Sequence, residues 1–445
     1  MRRQLTSLLA AGLLYLAIPA RPNELAVASS GTFNVLTLII PDSPVRPKLS
    51  GRLDNDRDMD KNTIYIGMRI TLNNYGIVNV QGNSNYQATL YRYDLHPFRT
   101  PSSDSHSFAS GLNTLSNYRW VDFSRNKWNL CSDRCHTQQG FTFMRVRIEE
   151  GVYIDMINLD TSAGVKPRDE TARRSNIQQV SQFIKYNSAG NAVVVFGNTN
   201  SLYTRSKDNI RLFKTENGLA DVWVESIGRG APAAGTTPLT CPKGIPKNFG
   251  CEDVDKVLYR GSRVIRIDSY RFYYDTSRFL SPVEKPLTDR NPVRAEFAWS
   301  LKGGLSQSDL WGGSHGTWFN DLVDLPPFPQ ATSFTLRGAN RLDGLTMNLT
   351  SGQSFKHGGS GGTESTLSLA SGEYIISVKL CWGVKNRHTR NFYAQASTNK
   401  GNVVQAGRTT DNCATAVAPK GYGVVGTYGQ AAKEMDQLGF IYAQQ

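Results

Sequence analysis

The chain has 445 residues, of which 39% are hydrophobic and 10% aromatic, with 40 glycines and a formal net charge of +13. Domains run to about 100 to 200 residues, so two or three are expected, and the composition excludes a disordered or fibrous chain. The positive charge favours phosphate-rich, sulfated or otherwise acidic surfaces, or serves solubility alone, and no lysine/arginine block stands out.

In chain order, Arg2 and Arg3 precede an apolar run from Leu8 to Ala20, and the small residues Ala26 to Ser29 follow. This pattern reads as a secretory signal peptide over 1–28, cleaved near Ala28. The run is shorter than the ~20 residues that span a bilayer, so no transmembrane segment is expected and the protein is placed outside the cell. Six cysteines suit an oxidising compartment. Local pairing is expected, Cys131 with Cys135, Cys241 with Cys251 and Cys381 with Cys413, although spacing alone does not choose among connectivities. A zinc site lacks a second CxxC pair and a histidine cluster.

Segments 33–40, 141–148, 152–159 and 192–197 are short Val/Ile/Phe/Met-rich runs bounded by Gly, Asn or Pro, which reads as buried strands. Between the last two, Ile177, Val180, Phe183 and Ile184 recur at helical spacing within Arg168–Tyr186, giving an amphipathic helix on a sheet. A last strand of this part is expected over Ala295–Trp299, and 301–310 has the composition of a linker. Beyond it, strand candidates at Ser333–Leu336, Leu345–Leu349, Tyr374–Leu380 and Phe392–Ala396 alternate with glycine-rich turns and no convincing helix. The fold class is therefore α/β plus all-β. The glycine-rich tract from His357 to Gly362 lacks the Lys-Ser/Thr and the helix of a phosphate loop.

Five segments, FNVLTLII (33–40), NVQGNSNYQ (79–87), YIDMINLDTSAG (153–164), VVVFGNTNSLYTR (193–205) and PLTDRNPV (286–293), resemble the active-site strands of the endonuclease/exonuclease/phosphatase family. HPFRTPSS (96–103), SGLNTLSNY (110–118), GFTFMR (140–145) and CEDVDKVLYRGS (251–262) extend the likeness over about 29–300, closest to the branch of deoxyribonucleases and neutral sphingomyelinases. The resemblance implies a four-layer α/β sandwich that cleaves phosphoesters with a divalent metal. Such chemistry needs a carboxylate on Mg²⁺ and a base to activate water. Here the metal-holding glutamate is Gly82, the asparagine of the first strand is Ile39, the histidine after Asn-Leu is Asp160, and the aspartate after Phe-Gly is Asn198. The catalytic histidine is Arg290, which cannot accept a proton. Asn200, Asp255 and Asp289 still match, and Gln87 is a further departure. No catalysis and no cofactor are expected; Mg²⁺ enters only if residual phosphoesterase activity survives. Arg290 either turns the cleft toward a phosphate-bearing or protein ligand, or pairs with Asp160 or Asp289 after neutral decay.

WGGSHGTWFNDL (311–322), HGGSGGTESTLSLASGEYI (357–375), APKGYG (418–423) and VGTYGQAAKEMDQLGFIYA (425–443) resemble jacalin-like lectins. The resemblance implies a β-prism of three Greek-key sheets over 311–445, binding a sugar with a glycine near its start and a Gly-x-x-x-Asp loop near its end. Those positions are Gly313 and Ala432-Lys433-Glu434-Met435-Asp436, with alanine in place of the loop glycine. If residue 432 needs a positive φ, the alanine shifts or strains the loop. Trp318, Tyr374 and Trp382 are candidates to stack on a sugar. A glycan is the expected partner, and nucleic acid is not.

Overall fold

A computed structural model describes residues 28–40, 54–82, 86–101, 111–132 and 140–445, with the backbone alone for 54–59. The expected signal peptide, save Ala28, and Cys135 lie outside the described residues. In chain order the first part runs β1 (Ser30–Ile39), α1 (Asp54–Leu72), β2 (Ile77–Gln81), α2 (Gln87–Tyr93), β3 (Phe98–Arg99), β4 (Asn113–Ser116), β5 (Trp120–Lys127), β6 (Gly140–Glu149), β7 (Val152–Leu159), α3 (Pro167–Asn187), β8 (Ala192–Asn198), α4 (Leu212–Asn217), β9 (Ala220–Asp221), α5 (Val222–Ile227), β10 (Asp255–Arg260), β11 (Ile265–Tyr274) and β12 (Val293–Leu301).

These strands form two six-stranded sheets, ordered β11-β12-β1-β2-β4-β3 and β5-β6-β7-β8-β10-β9. Alternation along β1 separates two apolar faces. Phe33 and Val35 join the core shared with the second sheet, while Leu36 and Leu38 join a second cluster with Ile66 and Ile70 of α1 and Leu90 of α2. Helix α3 starts at Pro167, whose fixed φ suits the first turn, with Asp169 and Glu170 facing the positive end of the helix dipole. Its Ile177, Val180 and Ile184 are fully buried, as the spacing predicts.

The second part runs β13 (Leu305–Gln307), β14 (Trp311–Gly312), β15 (Thr317–Asn320), β16 (Ala331–Gly338), β17 (Leu342–Leu349), β18 (Ser354–Gly358), β19 (Thr363–Ser368), β20 (Ile375–Lys385), β21 (His388–Thr398), β22 (Val403–Gly407), β23 (Asn412–Val417), β24 (Tyr422–Ala431) and β25 (Met435–Gln444). It is β-rich, with three antiparallel sheets: β13-β25-β24-β15 with β14 also on β25, β18-β17-β16-β19, and β22-β21-β20-β23. Disulfides join Cys241 to Cys251 and Cys381 to Cys413, the latter tying β20 to β23.

The stretch expected as a linker is structured. Leu305–Gln307 pair with Ile441–Ala443 of β25, Ser308 donates its amide to Phe440, and Leu310 is buried. One apolar core runs through both parts, from Phe33 to Ala443. At the junction Arg147 binds Asp309 through Nε and Nη2 at 2.9 and 2.8 Å, and Asn320 donates to Asn191 Oδ1 at 2.9 Å. Trp318 lies 3.5 Å from the Arg145 guanidinium and donates to the Ala189 carbonyl. That placement makes Trp318 a packing residue of the junction, not a sugar platform. No helix among the described residues is long and apolar enough to cross a membrane.

Candidate functional site

The first candidate lies where β7 and β8 end together. Asp160, one residue past β7, makes a parallel bridge with Asn198, the last residue of β8. Asn198 Nδ2 donates to Asp160 Oδ1 at 2.7 Å, and Asn200 Nδ2 donates to the Thr161 carbonyl at 2.6 Å. Asn200 adopts φ 47°, a region asparagine tolerates, and its amide donates to Asn198 Oδ1 at 3.0 Å. Arg290 reaches in from the loop before β12, on the other sheet. Its Nη1 donates to Asn198 Oδ1 at 2.9 Å and its Nη2 to Asn200 Oδ1 at 3.1 Å. The guanidinium therefore bridges two asparagines, a partnership the sequence reading did not foresee. Asp289 is exposed.

Asp255 opens β10 opposite Asn198 and is 3% exposed. Among the described residues, neither of its carboxyl oxygens meets a hydrogen-bond donor. Burial, reinforced by the negative charge of Asp253, pushes its pKa well above the usual carboxylate range against the pull of Arg290. Gly82 follows β2 at φ 73°, and Ile39 ends β1 beside Gln81. Gln81 turns inward, donating to Asn158 Oδ1 at 2.8 Å and to Thr37 Oγ1 at 2.9 Å. Asn79 likewise donates to the Phe196 carbonyl at 2.9 Å, so a buried polar network links the two sheets beneath the cleft. Gln87 is buried and donates to Asn113 Oδ1 at 2.7 Å.

A carboxylate-held Mg²⁺ does not fit this donor set. Gly82 has no side chain, Asn198 turns its amide nitrogen to Asp160, and among the described residues no three His, Cys, Asp or Glu side chains converge for a metal. Beside Arg290 a pocket of about 510 Å³ opens, lined by Lys243, Glu252, Asp253, Thr288 and Asp289.

The second candidate is at one end of the β-rich part, where three loops meet. The Gly313 amide donates to the Asp436 carbonyl at 2.8 Å. A β-carbon on Gly313 would lie 2.6 Å from the Thr389 carbonyl, and one on Gly316 would lie 2.7 Å from Asp436 Oδ2, so both glycines permit close approach. The structure thus brings Gly313 to Asp436 and adds the β20–β21 turn, which the sequence did not indicate. Ala432 is not among the residues with positive φ, so the expected strain does not arise. Lys433 is exposed, and its carbonyl lies against Gly359 of the glycine-rich turn between β18 and β19. Met435 is fully buried in the core, so only its backbone is left to face a ligand.

The acids of this loop are already paired. Asp436, 1% exposed, accepts from Arg390 Nη1 at 2.8 Å. Burial raises its pKa, and Arg390 opposes the rise. Glu434 accepts from Arg341 at 2.6 Å and Lys385 at 3.0 Å, and these contacts, Arg341's hydrogen bond foremost, pull its pKa down to about 2. His315 and His388 meet edge to face at 4.2 Å, and burial lowers the pKa of His315. Next in sequence to Asp436, Gln437 donates to Asp122 Oδ1 of β5 at 2.9 Å, so the loop is anchored on the first part.

Residues 308–441 match the family model described as Jacalin-like lectin domain. Curated sphingomyelinases of Mycobacterium bovis and Mycobacterium tuberculosis are 32% identical over 240 residues, 52% of this chain and 46% of theirs. The chain spans about half the length of these relatives. Among solved structures, a mannose binding jacalin related lectin from Ananas comosus is 23% identical over 32% of this chain and 100% of its own, with a TM-score of 0.29. A humanized D. rerio TDP2 is 12% identical over 60% of this chain and 98% of its own, with a TM-score of 0.42. Residues 308–441 are a jacalin-like lectin domain, and the α/β region before them resembles sphingomyelinases.

Proposed function

We propose that this is a secreted carbohydrate-binding protein whose lectin domain recognises a glycan-bearing surface, carried on a phosphodiesterase-like domain that has lost its chemistry. In this reading the first part is a four-layer α/β sandwich and the three C-terminal sheets form a β-prism of Greek keys. The observation that carries it is the meeting of three loops around Asp436, with the Gly313 amide on the Asp436 carbonyl. Loops of this kind offer a sugar both a carboxylate acceptor and close backbone amides. A glycan array on the protein and on Asp436→Ala tests it: signal in the first and loss in the second are expected. Retention in the variant would move the site elsewhere.

Loss of hydrolysis is supported by the Arg290–Asn198–Asn200 bridge, which fills the place where an acid and a base would act, and by a glycine where the metal ligand would stand. The rival is an active metal-dependent phosphoesterase, a nuclease or a sphingomyelinase-like enzyme, aimed by its lectin. It is favoured by the 32% identity to sphingomyelinases and by the clustering of Asp160, Asn200 and Asp255. Metal-dependent hydrolysis of a phospholipid headgroup or of nucleic acid by the unmodified protein would establish it.

A further inference from the structure

We infer that the lectin site selects an acidic sugar, one bearing a carboxylate or a sulfate ester, and that Arg390 sets this preference. The inference rests on the carbohydrate reading above and narrows it.

Three cations, Arg341, Lys385 and Arg390, converge on two acids, Glu434 and Asp436. Arg390 Nη1 serves both, at 2.8 Å from Asp436 Oδ1 and 3.4 Å from Glu434 Oε2. A neutral hexose would depend on donating hydroxyl hydrogens to the Asp436 carboxylate. Here that carboxylate is 1% exposed and holds Arg390 on Oδ1, so little of its accepting surface is open to a hydroxyl.

For an anion the balance reverses. With Asp343 in electrostatic reach of Arg341 and Lys385, three carboxylates balance these three cations, and the exposed Lys433 and Arg387 supply the excess positive charge at this end of the domain. Among the described residues, the buried Nε–H groups of Arg341 and Arg390 meet no acceptor. Lys433 on one loop and Arg387 on the β20–β21 turn stand exposed on either side. Asn386 and Arg387 adopt φ 51° and 64°, a two-residue turn that fixes where Arg387 projects. Of the other nearby acids, Glu364 is paired with Arg337, which leaves Asp343 at the edge of the glycine-rich turn. An arginine fork suits a planar carboxylate or a sulfate, which a lysine would hold only as a point charge.

The test measures binding of the full chain to four probes at about 0.15 M salt, where surface charge is well screened. The probes are a hyaluronan tetrasaccharide with carboxylates alone, a sulfated galactose disaccharide, mannotriose, and a DNA oligomer as a polyanion without accessible sugar hydroxyls. At least one acidic sugar is expected to bind about ten-fold or more tightly than mannotriose, a difference of about 1.4 kcal/mol. Which acidic probe wins tells carboxylate from sulfate. Arg390→Lys keeps the charge and should lose about ten-fold for the acidic sugar. The exposed pair Arg387→Ala/Lys433→Ala, which disturbs no buried partner, should weaken the acidic sugar about three-fold. Equal binding of acidic and neutral sugars, DNA binding as tight as the acidic sugar, or an indifferent Arg390→Lys would overturn the inference. If mannotriose alone binds and Asp436→Asn abolishes it, only the acidic preference falls; if no sugar binds, the carbohydrate reading falls with it.

Discussion

A β-carbon built on Gly82 would lie 2.5 Å from the carbonyl oxygen of Ile40, closer than such atoms ever come. The backbone there is also left-handed, at φ 73°. The absent metal ligand is therefore a property of the main chain as well as of the side chain. Gly82→Glu should lower stability by about 2 kcal/mol or more, since left-handed backbone alone costs a non-glycine residue about 1 to 2 kcal/mol. Urea unfolding measures that loss. Paired with Arg290→His, the same variant should still show no Mg²⁺-dependent phosphodiester cleavage.

Asp255 gives a pH signature. Its folded pKa is raised, so the native state keeps a proton that the unfolded chain releases above about 3.9. Stability then falls as pH rises from that value toward the folded pKa. Asp255→Asn removes this slope, so the variant should gain stability relative to the parent as pH rises toward neutrality. Denaturation midpoints from pH 4 to 8 should converge at the acid end and separate toward neutrality.

Glu434 has the opposite sign. With its folded pKa held at about 2, its contribution is complete above the unfolded value near about 4.3 and is lost as pH falls through about 2. Glu434→Gln should lower the melting temperature at neutral pH, and the gap from the parent should close on acidification. A gap that stays constant down to pH 2 would mean the ion pairs contribute nothing.

Arg145 sits at the junction of the two parts, under the ring of Trp318. It is 1% exposed, bonded to Asp155 at 2.8 Å and to Asp122, and covered by Trp318. Removing it strands two buried carboxylates, which costs about 3 to 5 kcal/mol in comparable sites. Calorimetry of the parent should show one cooperative transition, and Trp318→Ala, which empties the junction, should split it in two.

Much of this was legible where a local pattern sufficed. Strands at 152–159 and 192–197 and the helix carrying Ile177, Val180 and Ile184 stand where periodicity placed them. The segment 301–310 was not legible, because Leu305–Gln307 become a strand only by pairing with residues at the chain's end. Composition sees glycine and serine there; the partner that orders them is remote. The same limit hid Arg341, Lys385 and Arg390, whose partners Glu434 and Asp436 lie 93, 49 and 46 residues away. Arg290 was recognised as a misfit from its motif, yet its bridge to Asn198 and Asn200 spans about ninety residues and both sheets.

The most direct test of the account is a calorimetric titration of the unmodified protein with Mg²⁺, run beside a phosphodiesterase assay on sphingomyelin vesicles and DNA. The account predicts no saturable Mg²⁺ binding and no turnover above the buffer rate. Saturable binding with hydrolysis that Asp160→Ala abolishes would contradict it.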